Sequence, residues 1–186
     1  MLLSVLSIGN VAEQEMEVVR RSLIGVFNWQ IVDGNNHISL RGQKIIEEAL
    51  ALLDVCEIYR SISTDPYYNE GLCFETNKLM VITSSPISYK GTAKCGWAKQ
   101  HGFLSLICIE KLKQNHTLTD GTLNIGDYHD ELRNTALHEF GHQLMEGDPI
   151  ECPDPSCIMA EDYNQAVATG EFCQKCLSKL HGHLRT

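Results

Sequence analysis

Apolar and polar positions along this chain follow two periods, and the changes between them mark its elements. Met1-Leu2-Leu3-Ser4-Val5-Leu6-Ser7-Ile8 is largely apolar and predicts a buried first strand. Val11, Val18, Val19, Leu23, Val26 and Phe27 then fit an amphipathic helix over 11–27, with Asn10 as its N-cap. Trp29-Gln30-Ile31-Val32 predicts a second strand closed by the turn Asp33-Gly34-Asn35-Asn36. A further helix is expected from Ile45 to Val55. Leu79-Met80-Val81-Ile82-Thr83 is a continuous apolar run, as in a strand covered on both faces, and Phe103 to Ile109 is the next. Between these two, Ser85 to Gly102 holds turn residues and glycines around Cys95-Gly96-Trp97-Ala98, and Asn115 to Gly126 reads as a loop. Beyond Tyr128 the helical period returns, with Leu132, Ala136, Phe140 and Leu144 as its buried stripe. Strands alternating with helices indicate an α/β fold with a mixed sheet. From Gly147 the composition changes, and Pro149, Pro153 and Pro155 appear among cysteines. The expected organisation is therefore an N-terminal α/β subdomain over 1–147 and a C-terminal subdomain over 148–186, too small to fold without a staple.

Composition narrows the function. The 186 residues are 43% hydrophobic and 21% charged, an ordinary globular balance. A formal net charge of −9, a pI near 5.3 and the lack of a basic run argue against nucleic acid or an anionic membrane as partner. No apolar run approaches the roughly 18 residues of a spanning helix. The N-terminus has no basic region and is followed by Glu13, Glu15 and Glu17, unlike a signal peptide. A cytoplasmic monomer is expected. In that compartment eight cysteines mean metal ligands or buried thiols rather than disulfides. Cys56, Cys73, Cys95 and Cys108 are scattered, and core packing suits them. Cys152, Cys157, Cys173 and Cys176 are clustered.

The chemistry concentrates in His138-Glu139-Phe140-Gly141-His142. On a helix, His-Glu-x-x-His stacks two imidazoles at i and i+4, where a tetrahedral zinc takes both nitrogens. Glu139 between them projects toward the open coordination position and can take a proton from zinc-bound water as general base. Gly141 leaves room beside the metal, at about 1 kcal/mol in helix propensity. The third ligand has two candidates. Asp148 stands six residues after His142, where metzincin peptidases place theirs; Glu151 directly precedes Cys152. A helix ending at Met145 favours Asp148, and one running on to Gly147 favours Glu151.

Cys152 and Cys157, with four residues between them, and Cys173-x-x-Cys176, separated from Cys157 by 15 residues, form two pairs suited to a closed four-thiolate zinc. Met159 follows Cys157 by two, like the methionine turn under a metzincin zinc.

The combination resembles the archaemetzincin family. Its pattern runs His-Glu-x-x-His-x-x-Gly-x-x-His-Cys, four residues, Cys-x-Met, a spacer and Cys-x-x-Cys. His138, Glu139, His142, Cys152, Cys157, Met159, Cys173 and Cys176 match it, and Arg41-Gly42-Gln43 is similar to a further short family segment. Met145 takes the place of the family glycine. Three extra residues lie between His142 and Cys152, so the family's His-Cys step becomes Glu151-Cys152, and the spacer from Met159 to Cys173 holds 13 residues. The resemblance implies a metzincin-like fold with a twisted mixed sheet and a long active-site helix. It further implies two zinc ions per chain, one catalytic and one structural, and zinc-dependent hydrolysis of peptide or protein substrates. By analogy with other metzincins, the strand near Phe103 to Ile109 would offer an edge to an extended peptide. The rival expectation is a catalytically degenerate, zinc-stabilised binding or regulatory protein.

Overall fold

A computed structural model describes residues 2–38, 40–64, 77–100, 102–145, 152–160, 170–180 and 183–184. Five strands form the main sheet: β1 (Leu2–Ile8), β2 (Gln30–Asp33), β3 (Asn77–Thr83), β6 (Gly96–Ala98) and β7 (Leu104–Cys108). Their order is β2-β1-β3-β7-β6, parallel except for β6, which runs antiparallel to β7. A separate hairpin pairs β4 (Ile87–Tyr89) with β5 (Thr92–Lys94).

The period-2 pattern of the strands divides their side chains between two cores. Leu3, Val5, Met80, Ile82 and Ile107 point to one face. There they meet Met16, Val19 and Leu23 of α1 (Glu13–Val26) and the long helix α6 (Ile125–Leu144). Leu6, Ile8, Leu79, Val81, Leu104, Leu106 and Cys108 point to the other face. That face is covered by α3 (Leu40–Leu50) and α4 (Val55–Thr64), and Ile87 of β4 packs there too. The mixed α/β sheet between helical layers is the architecture expected. Ile158, Met159, Cys176 and Leu180 join the first core, α7 (Gln174–Lys179) carrying Cys176.

Several elements depart from the sequence pattern. Helix α1 is capped by Ala12 rather than Asn10, and Glu15 reaches back to accept the Ala12 N–H at 2.7 Å. The turn expected at Asp33–Asn36 is a helical turn, α2 (Gly34–His37), capped by Asp33. The helix expected over 45–55 starts and ends earlier, and a second follows it. Leu53 takes a left-handed φ of 62° in the joint, and Asp54 caps the N–H groups of Cys56 and Glu57. The region over 85–102 is strand-rich: Lys90 and Gly91, at φ 51° and 77°, make the two-residue turn of a tight hairpin. Ile109 starts helix α5 (Ile109–His116), which takes up the first residues of the expected loop.

One correction bears on function. Strand β7 is not an edge; it is fully buried and lies between β3 and β6. Among the described residues the edge on that side of the sheet is β6, which packs on α6.

Candidate metal centre

Helix α6 begins three residues before Tyr128. The Asn124 side chain caps it by accepting the Asp127 N–H, and the helix buries the stripe Leu132, Ala136, Phe140 and Leu144. It ends at Leu144. Met145 is the C-cap, in extended backbone at φ −71° and ψ 133°, so no glycine is required there.

The helix brings the two histidines together. His138 Nε2 and His142 Nε2 are 2.8 Å apart, and the rings meet edge to face at 4.4 Å between centroids. The other nitrogen of His138, Nδ1, lies 2.7 Å from the Ile158 carbonyl oxygen. Only an N–H at Nδ1 satisfies that carbonyl, which makes Nε2 the acceptor nitrogen of the ring, facing His142. Burial holds His138 below the usual imidazole range even against this bond. Burial, then the neighbouring His138, pushes His142 down to about 3. Both rings are therefore neutral at physiological pH, the state in which imidazole binds a metal.

Glu139 is 6% exposed. Burial pushes its carboxyl up to about 8, against the pull of the Lys94 ammonium. A carboxylate that exchanges its proton near neutrality suits general-base work. Its neighbour is the edge strand: Gly96 of β6 lies directly against it. Glu131, two turns back on the same helix, pairs with His116 and accepts from Asn115 Nδ2 at 3.4 Å. Asn115 Nδ2 also lies 3.3 Å from Cys95 Sγ, tying the start of β6 to the helix.

Gly141 makes room, but for a protein side chain. A methyl there would stand 2.6 Å from Met159 Sδ, so the methionine sulfur lies against the helix in the turn between His138 and His142.

Cys152, Cys157, Cys173 and Cys176 converge, with all four sulfurs within 4.8 Å of one another. Cys152 Sγ and Cys173 Sγ are 3.5 Å apart. Cys157 Sγ accepts from the Met159 and Cys173 N–H groups at 3.4 and 3.3 Å. Burial pushes the Cys157 and Cys176 thiols up, so a cation would have to displace their protons on binding, and four sulfurs this close with backbone N–H donors suit zinc. Of the scattered cysteines, Cys108 is buried in the core, Cys95 half-buried and Cys56 exposed. Asp148, Glu151 and Cys73 lie outside the described residues.

Sequence reasoning did not identify Lys94, Gly96, His116, Glu131 or the Ile158 carbonyl as part of the site. Only Ile158 had a nearby signal, since it stands between Cys157 and Met159.

No family model and no curated protein matches the chain. Solved structures do share its fold. Archaemetzincin from Archaeoglobus fulgidus, complexed with malonate, is 21% identical with a TM-score of 0.62, covering 96% of this chain and 99% of that one. A zinc-dependent peptidase from Methanocorpusculum labreanum is 14% identical with a TM-score of 0.59, over 96% and 99% of the two chains. Archaemetzincin from Methanopyrus kandleri is 18% identical with a TM-score of 0.58, over 96% and 92%.

Proposed function

We propose that this chain, built on the fold of archaemetzincins, is a zinc-dependent metallopeptidase. The observation that carries the reading is the convergence of two neutral imidazoles at 2.8 Å beside a buried carboxylate whose affinity for a proton is raised. His138 and His142 would hold the catalytic zinc through Nε2. Asp148 is the proposed third ligand, with Glu151 as the alternative; a helix that ends at Leu144 with Met145 as its C-cap supports Asp148. The clustered cysteines would hold a second, structural zinc, giving two per chain.

Bound zinc supplies Lewis acidity, polarising the scissile carbonyl and making a water more acidic. The protein groups do the rest. Glu139 takes the proton of the attacking water at its carboxylate and returns it to the leaving amine nitrogen. Strand β6 is paired only with β7 among the described residues, so its free side can add an extended peptide as a further strand. Gly96 brings that edge against Glu139, placing the peptide backbone beside the base.

The test is Glu139→Gln, assayed on a quenched fluorescent peptide library together with zinc analysis. Hydrolysis should fall by about 10²–10⁴-fold with zinc content unchanged. A parent protein that binds zinc at the histidine pair yet cleaves no peptide would return the chain to the regulatory alternative.

A further inference from the structure

Between the histidine pair and the four cysteines runs one tripeptide, Cys157-Ile158-Met159, and both centres use it. Cys157 supplies a sulfur to the thiol cluster. The Ile158 carbonyl accepts His138 Nδ1–H at 2.7 Å, and the Ile158 N–H donates to the Glu171 carbonyl at 2.8 Å. The Met159 N–H donates to Cys157 Sγ, its carbonyl accepts the Cys152 N–H, and its sulfur fills the space over Gly141. Every backbone N–H and C=O from Ile158 to Met159 thus has a partner, and three of the partners belong to Cys152, Cys157 or His138. The Ile158 oxygen cannot move without disturbing the sulfur that lies one residue away.

We propose that the four-cysteine site sets the metal affinity of the histidine pair by fixing the Ile158 carbonyl, making Ile158 a positioning residue for His138. The inference rests on reading His138 and His142 as metal ligands.

The physics is that of an orienting hydrogen bond. An imidazole presents one lone pair, and the bond at Nδ1 decides that it appears at Nε2. Segment 152–160 contains no helix and is held by the sulfurs and a few backbone bonds. With a cation among the sulfurs, the tripeptide has one position. Without a cation nothing binds the four sulfurs to a common centre, so Cys152, Cys157 and Cys173 can separate and the carbonyl leaves His138 Nδ1. The ring is then free to rotate and to carry its proton on Nε2, where it blocks the metal. Loss of such an outer partner typically weakens metal binding by about 10–100-fold. Linkage requires the same factor in reverse: a metal at the histidine pair, holding His138 in place, tightens the thiol site equally.

The experiment uses the full chain and cobalt(II) as probe, because the visible bands of a thiolate site and of a histidine site are separable. Cobalt affinity at the histidine pair is measured by chelator competition in the parent protein with zinc retained by the cysteines, and in a Cys173→Ser, Cys176→Ser variant. The expected result is an affinity about 10–100-fold weaker in the variant. Should the variant lose its near-ultraviolet circular dichroism, the reciprocal measurement on the parent decides. The zinc affinity of the cysteines is then measured by competition with a strong chelator, with the histidine pair stripped by a mild chelator and again after cobalt is restored there, and cobalt should raise it by a similar factor. Affinities that change less than twofold overturn the coupling and leave the peptidase reading standing. Failure of the histidine pair to take up cobalt in any form overturns both.

Discussion

Gly96 of the edge strand and Glu139 of the motif helix are packed so closely that no side chain fits between them. A methyl on Gly96 would stand 2.4 Å from Glu139 Oε1 and 2.8 Å from both Glu139 Cγ and Thr135 Cγ2. Gly96→Ala should therefore displace Glu139, the proposed base, rather than unfold the protein, since the strand is at the edge of the described sheet. A shift of about 1 Å at a reacting group can lower turnover about 10²-fold. Peptide hydrolysis should fall by about that factor while zinc content and circular dichroism stay constant. Turnover at the parent level in this variant would contradict the placement of β6 beside the base.

The raised proton affinity of Glu139 has a signature in stability as well. Burial lifts its carboxyl from 4.5 to about 8, so between those values the metal-free folded state holds a proton that the unfolded state has released. Stability then falls as pH rises through this window. The lowered histidines act oppositely, but only below the unfolded imidazole value of 6.5. Between pH 6.5 and 8 the metal-free protein should therefore lose stability to urea, and Glu139→Gln should abolish that decline. An equal decline in both proteins would assign it to another group.

A second buried carboxylate has the reverse sign. Burial alone would push Glu15 up. Lys113 Nζ at 2.8 Å from Oε1, the Tyr128 hydroxyl donating at 2.6 Å and the Ala12 N–H outweigh it, so the carboxyl titrates below 4.5. Its contribution to stability is present above 4.5 and is lost as pH falls through the lowered value. Lys113 is 28% exposed, so its removal should cost less than the roughly 3–5 kcal/mol of a fully buried pair. Lys113→Met should cost about 2 kcal/mol in urea unfolding at pH 7, with the difference shrinking toward pH 3. A cost independent of pH would mean that packing of the lysine stem, not charge, is what was lost.

The third ligand can be decided by comparing two substitutions. Asp148→Ala should weaken the more labile of two zinc ions far more than Glu151→Ala does, and the ion held by the cysteines should stay bound in both. Elemental analysis after graded chelation measures each. The opposite order transfers the role to Glu151, and a parent protein with at most one zinc refutes the two-site account.

What could be read from the sequence was what is local. His138 and His142 are one helical turn apart, and the cysteine pairs have fixed short spacings, so their chemistry is visible without a fold. The apolar runs of β3 and β7 announce burial on both faces in the same way. They do not announce neighbours, because strand order depends on partners far apart in the chain, and the analogy with metzincins that makes β7 an edge fails on that order. Strand β6 has three residues and the hairpin turns on Lys90, a residue type with no preference for positive φ, so neither has a periodic signal. The helix expected over 45–55 runs across Leu52 and Leu53, which are exposed and, at Leu53, left-handed. Met145 replaces the family's glycine without penalty because the helix ends there in extended backbone. The Ile158 carbonyl is main chain, and main-chain atoms carry no letter in a sequence.

The seam between β1 and β3 has a consequence for the chain as it is made. Leu2 pairs with Asn77 and Ile8 with Thr83, so the central contact of the sheet closes a loop of about 75 residues. A ribosome must release Thr83 before β1 can acquire its inner partner, and until then Leu3, Val5 and Leu6 have only β2 and the first helices for cover. Parallel pairing at such separation is slow to nucleate, since the loop's entropy is lost before the pairing returns it. During that interval β1 is open to aggregation and to chaperones.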